Sequence, residues 1–254
     1  HQEGVQSFLF DFGSDTLPTA YGPAPGDPFN HWNNIGSAVG GSATGEIANL
    51  VTTLNLPTDA GLVMVRPFNG ANTSGTTTSA AFPANATRDS LFGNTESFNG
   101  LSDIFPCFKL TRLNPARAYS FTFFASRLSA SDNRETGYTV SGQNSGYATL
   151  DAANNTDATA LVPEIIPDAD GAITISLAPT PNNNNANHFT YLGAMRMDAV
   201  PEQTPITFTR QPADQTVSEH LPVFFTAEVE GTPPFFIQWF SNGVALPQAR
   251  QLTL

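Results

Sequence analysis

The sequence predicts an all-β protein built as a sandwich or jelly roll, on three observations. Phe8-Leu9-Phe10-Asp11-Phe12 alternates with the two-residue period of a strand that has one buried face. Gly and Pro occur 20 times each; Gly supplies positive φ and Pro presets turn geometry. Short apolar runs recur between such turns, and none holds a 3.6-residue period over the length of a convincing helix. Many short strands joined by Gly/Pro-rich turns describe a sandwich or a jelly roll.

In order along the chain, strands are expected at 8–12, 61–66, 107–111, 119–126, 137–140, 148–150, 172–177 and 191–197. Strong turn signals separate them: Leu113-Asn114-Pro115, Pro167-Asp168-Ala169-Asp170-Gly171 and the asparagine run 182–187, expected as a turn-rich or disordered loop. Residues 47–54 are the one candidate for a short helix, opposed by Thr52, Thr53 and flanking glycines. Residues 199–205, with Pro201 and Pro205, read as a linker between a first domain, 1–200, and a second segment, 201–254. The 20 Phe residues supply aromatic mass for sheet cores.

Composition removes several function classes. The net charge is -12 although only 13% of residues are charged, because Lys109 is the sole lysine beside nine arginines. Without clustered cations there is no counterion-release surface, so nucleic acid is not expected as a partner. No stretch approaches the roughly 20 apolar residues of a membrane span. Cys107 is the only cysteine, so no intrachain disulfide forms; its apolar setting, Phe105-Pro106-Cys107-Phe108, suits a buried, inert thiol. The start at His1, without an initiator Met, fits either an exported chain with its signal peptide removed or a tag remnant.

Two resemblances follow. Phe10-Asp11-Phe12-Gly13, Trp32-Asn33-Asn34, Ala86-Thr87-Arg88-Asp89-Ser90-Leu91, Leu113-Asn114-Pro115 to Tyr119-Ser120-Phe121, Ala125-Ser126-Arg127, Pro167 to Gly171 and Tyr191-Leu192 resemble galactose-binding-like jelly rolls of secreted bacterial proteins. That resemblance implies that the asparagine-proline turn joins two antiparallel strands and that the Asp-Gly turn opens another. From residue 206 on, Gln211-Pro212, Thr216-Val217, the alternation Phe225-Ala227-Val229, Gly231 to Pro234, Gln238-Trp239 and Asn242-Gly243-Val244 resemble the first half of a bacterial immunoglobulin-like (I-set-type) domain. Such a domain has about seven strands and about 100 residues. Ala227 stands where disulfide-bearing relatives place their first cysteine, leaving Phe225, Val229 and Trp239 to build the core. Strands covering Trp239 and the run Phe235-Phe236-Ile237 are missing from the sequence, which leaves apolar surface open to association.

The catalytic constellations sought do not assemble. Arg88-Asp89-Ser90-Leu91 shares Asp-Ser-Leu with a hydrolase nucleophile block, but no Gly-x-Ser-x-Gly elbow and no downstream Asp-x-x-His accompany it; a capped turn, with Asp89 accepting backbone N–H bonds, fits better. Glycoside hydrolysis needs two facing carboxylates. The acids Asp132, Asp151, Asp157 and Asp168 sit in turns, and none is expected in an apolar strand that would raise its pKa. His1 with His31, His188 or His220 is the only copper-type grouping, and nothing else supports it.

Binding chemistry is better represented. A sugar site wants an aromatic face and amide, carboxylate or guanidinium groups for hydroxyls. His31, Trp32, Asn33 and Asn34 place these on an expected loop, and Arg127, Asp132, Arg134 and Glu135 form a second polar cluster. Against these stand an edge-of-core tryptophan and a solvated loop with surface ion pairs. No cofactor is expected beyond a structural calcium ion at Asp168 and Asp170, against which stands a hairpin turn with Asp at its start and Gly at its end. The expectation is a non-catalytic extracellular or cell-surface module binding a polysaccharide or glycan. The alternative is a structural subunit forming a homo-oligomer or filament through its incomplete second domain.

Overall fold

The structure, a computed structural model, describes residues 6–19, 31–41, 43–200, 206–231 and 235–253. Internal contacts divide the chain into two units, His1–Pro201 and Glu202–Leu254. The first contains, in chain order, β1 (Ser7–Phe12), β2 (Trp32–Ile35), a π-helical turn (Ser37–Gly41), β3 (Glu46–Ile47), β4 (Gly61–Arg66), β5 (Gly70–Asn72), α1 (Ala84–Thr87), β6 (Ser90–Gly93), β7 (Cys107–Thr111), β8 (Tyr119–Phe124), β9 (Glu135–Ser141), β10 (Ser145–Asp151), β11 (Ala160–Ile165), β12 (Ile173–Pro179), β13 (Thr190–Leu192) and β14 (Ala194–Ala199).

One sheet runs β11-β8-β14-β1-β2 and a second β10-β9-β12-β7-β4-β3; β13-β6-β5 form a small third sheet. Period-two alternation makes the sandwich. Tyr119, Phe121 and Phe123 of β8 point inward, as do Tyr138 and Val140 of β9 and Ile173, Ile175 and Leu177 of β12. Residues of both large sheets join one contiguous core, where Phe12 meets Phe108 at 5.1 Å between ring centroids and Phe123 stacks on Tyr138 at 4.5 Å. Such pairs add about 0.5–1.5 kcal/mol each beyond area burial. The Tyr138 hydroxyl donates to the Tyr191 carbonyl at 2.7 Å, and burial pushes its phenol up. The chain is thus all-β, as the turn-rich composition predicts.

Three local expectations are corrected. Residues 47–54 form no helix. Thr52 Oγ1 accepts the N–H groups of Leu54 and Leu56, and Leu50 pairs with Ala60 and Thr58, so a threonine side chain competes for the backbone and folds it into turns. The expected strand 191–197 is two strands broken at Gly193, whose N–H donates to Phe124 O and whose carbonyl accepts Phe12 N–H. The asparagine-proline turn does not join paired strands: β7 and β8 lie in different sheets, so 113–115 is a crossover.

The second unit has β15 (Thr207–Arg210) paired with β16 (Glu228–Glu230) and β17 (Phe240–Ser241) paired with β18 (Val244–Ala245). Asn242 and Gly243 both take positive φ, as a two-residue hairpin turn requires. Trp239 Nε1 donates to Gln251 O at 2.7 Å. Phe235-Phe236-Ile237 is not a core strand; Phe236 is 93% exposed, because no strand among the described residues covers it.

Candidate functional site

The site grows from the second face of β1. Phe8, Phe10 and Phe12 face the main core, and alternation would leave Ser7, Leu9 and Asp11 to solvent. All three are buried, because a second small cluster of Leu9, Trp32, Phe82, Ala86, Phe124 and Ala194 roofs that face. Asp11 is 2% exposed, and its neighbours across the sheet are Asn34 on β2 and Ala194 on β14. One acid therefore does lie in an apolar strand, contrary to the sequence reading. Burial pushes its carboxyl up to about 7, reinforced by the nearby Asp89 and opposed by Thr19 and Arg88.

Asp89, fully buried before β6, is also raised by burial. Its Oδ2 accepts the Ser14 N–H at 2.7 Å, a long-range contact to a residue 75 positions away where the sequence suggests a locally capped turn. Gly13 makes room for it: a Cβ there would stand 2.5 Å from Asp89 Oδ2. On the other side of Asp11, its Oδ2 accepts the Thr19 N–H at 2.7 Å, and Asn34 brackets the same residue through Thr19 N to Oδ1 (2.9 Å) and Nδ2 to Thr19 O (3.0 Å).

Two adjoining clefts open here and share Gly13, Ser14 and Asp15. One, about 220 Å³, is lined by Asp11, Asn34, Ile35, Gly36 and Val39 among others; the other, about 140 Å³, by Ser37, Asn69, Gly70 and Leu91 among others. Asp15 accepts hydrogen bonds from the Ser37 hydroxyl and N–H, which hold its carboxyl below the usual range.

Residues 31–34 lie at a strand start rather than on a loop. Trp32 is 8% exposed, edge-on to Phe82 at 6.1 Å between centroids, so its ring is core. Asn33 is buried and acts as a strand surrogate: its Nδ2 donates to Leu9 O and Val51 O, and its Oδ1 accepts Val51 N–H. His31 N–H donates to Thr53 O. Of the four, Asn34 reaches the cleft.

The second predicted cluster is knitted into the asparagine run. Arg134 Nε pairs with Asp132 Oδ1 at 2.7 Å, its Nη1 donates to Tyr191 Oη at 2.7 Å, and its guanidinium lies 5.7 Å from the Phe189 ring centroid. Asn185 Nδ2 donates to Asp132 Oδ2, and the Arg134 bond chiefly holds Asp132 below the usual carboxylate range. Glu135 Oε1 accepts from Thr180 Oγ1 and Asn182 Nδ2, while Arg127 donates to Leu128 O. Asn183 and Asn185 are buried, so 182–187 is a hydrogen-bonded strap and 132–135 its anchor.

Asp168 and Asp170 form a turn. Asp168 Oδ1 accepts the N–H groups of Asp170 (3.0 Å) and Ala172 (2.8 Å), and Gly171 takes φ 73°. Among the described residues no three His, Cys, Asp or Glu side chains converge to hold a metal. His1 lies outside the described residues, as does most of the linker 199–205. The sequence reading missed Asp11, Asp89, Thr19 and Ser14. The available signal was Asp11 itself, the sole charge in an otherwise aromatic and aliphatic strand.

Residues 206–254 match the immunoglobulin I-set domain family. No curated protein matches the chain. Among solved structures, the extracellular domain of ANXUR1 from Arabidopsis thaliana is similar at 9% identity and a TM-score of 0.33, over 61% of this chain and 53% of that one. The chain thus spans about half that structure's length, and so slight a likeness carries no argument about fold or function.

Proposed function

We propose that this chain is a non-catalytic part of a modular extracellular protein, and that its first unit binds a glycan in the cleft bounded by Asp11, Ser14, Asp15 and Asn34. The observation that carries the reading is the pair of adjoining open clefts lined by carboxylate, hydroxyl and amide groups beside small glycine walls. Sugar hydroxyls are recognised by a few such precisely placed polar groups in a cleft. The I-set match supports the extracellular setting, and no helix among the described residues is long and apolar enough to cross a membrane. The resemblance to galactose-binding-like jelly rolls points the same way. A non-catalytic role is favoured over glycoside hydrolysis because Asp11 lines the cleft while Asp89 lies enclosed behind Gly13, so the two do not face each other across a substrate.

Glycan-array binding tests the reading. The wild type is expected to retain at least one polysaccharide class, with Asn34→Ala and Asp15→Ala lowering that signal at least tenfold. Binding unchanged in both variants, or no binding across the array, overturns it. A second reading, assembly with another copy through the second unit, is favoured by the exposure of Phe236, Phe240 and Phe224; oligomeric state decides it.

A further inference from the structure

We propose that Asp11, Asp89 and Thr19 form a site for a hard divalent cation of the calcium type, buried beside the larger cleft behind Asp11 and Gly13. Three buried oxygens there lack a hydrogen-bond partner among the described residues: Asp11 Oδ1, Asp89 Oδ1 and Thr19 Oγ1. The residues are 2%, 0% and 4% exposed, so solvent does not satisfy them. Each carboxylate has already given its other oxygen to the protein, Asp11 Oδ2 to Thr19 N–H and Asp89 Oδ2 to Ser14 N–H, both at 2.7 Å. Asp89 is close enough for its charge to act on Asp11, and the Thr19 side chain is close enough to favour the charged form of the same carboxylate.

Buried polar atoms are nearly always satisfied, and two neighbouring buried carboxylates with orphaned oxygens are costly. Arg88 acts on both through its charge, and its own Nε has no partner among the described residues. A cation between them removes the repulsion and occupies the orphaned lone pairs. The donors are all oxygen, two carboxylates and a hydroxyl, which selects calcium or magnesium over zinc or copper. Two acids suffice for such an ion when it carries part of its own water shell into the site. Asp11 lines the open cleft, which gives the ion an entry path, and Gly13 is the backbone position that lets Asp89 approach. The site is separate from Asp168 and Asp170, whose turn already uses the Asp168 carboxylate. It does not depend on the glycan reading.

The test titrates CaCl2 into the EDTA-stripped chain by calorimetry, with thermal unfolding in parallel. One calcium per chain is expected, with the unfolding midpoint raised by about 5–10 °C at a hundredfold excess over Kd. Asp11→Asn and Asp89→Asn should abolish both effects, and Asp168→Ala should keep them. In EDTA, Asp11→Asn should unfold no lower than wild type, since a buried charge is gone; its failure to bind is then not a failure to fold. Thr19→Val, which keeps both charges, should weaken binding at least tenfold. Absence of calcium binding by wild type overturns the site. So does binding kept by both Asn variants or lost in Asp168→Ala.

Discussion

Asp11 shows how one residue couples burial to pH. Its carboxyl titrates near 7 in the folded chain against 3.8 ordinarily, so between these values the folded state holds a proton that the unfolded state has released. Stability from this group is therefore full below about pH 4 and is lost as pH rises to 7. The loss is on the order of 4 kcal/mol for a three-unit shift, an upper figure because water and Arg88 relax it. In metal-free buffer, urea unfolding of wild type at pH 5.0 and 7.5 should show the higher-pH protein less stable. Asp11→Asn should flatten the slope; an equal slope in that variant would mean another group is responsible. Trp32 makes the complementary point: the chemistry of a sugar platform was legible in the sequence, but not that Phe82 would cover it.

Among elements, sequence legibility tracked alternation. Strands β4 and β7 fall where the pattern places them, since each carries apolar residues on the face that meets the opposite sheet. Short strands β2, β3, β5 and β6 were not expected, because two to four residues carry too little pattern to read. The asparagine run was legible as turns, yet its order comes from Asp132 and Glu135, about 50 residues earlier. Removing Asp132 leaves Arg134 without its ion pair and Asn185 Nδ2 without its acceptor. Asp132→Ala should cost about 1–2 kcal/mol, discounted for partial exposure, measured by urea unfolding. Glu219→Ala, in a fully surface-exposed pair with His220, should cost nothing measurable.

For the whole molecule the two units differ in what holds them. The first has one continuous core across both large sheets. In the second, Ala227 is the single buried apolar residue among those described, while Phe208, Phe224, Phe236 and Phe240 are each at least 60% exposed. That surface predicts concentration-dependent self-association, read by light scattering, and its reduction in a Phe236→Ser, Phe240→Ser double variant. A wild type that stays monomeric at all concentrations would remove the assembly reading.

The sequence by itself determined the all-β class, the turn positions, the acidic, cation-poor surface and the immunoglobulin-like character of the C-terminal segment. These follow from residue periodicity and local turn chemistry, which act over a few neighbours. Tertiary structure alone decided that Asp11 is buried, that Asp89 reaches Ser14 across 75 positions, and that the Asp11–Asn34 edge borders a cleft. Those facts depend on which sheet faces are roofed, and a roof is built from segments far apart in the chain.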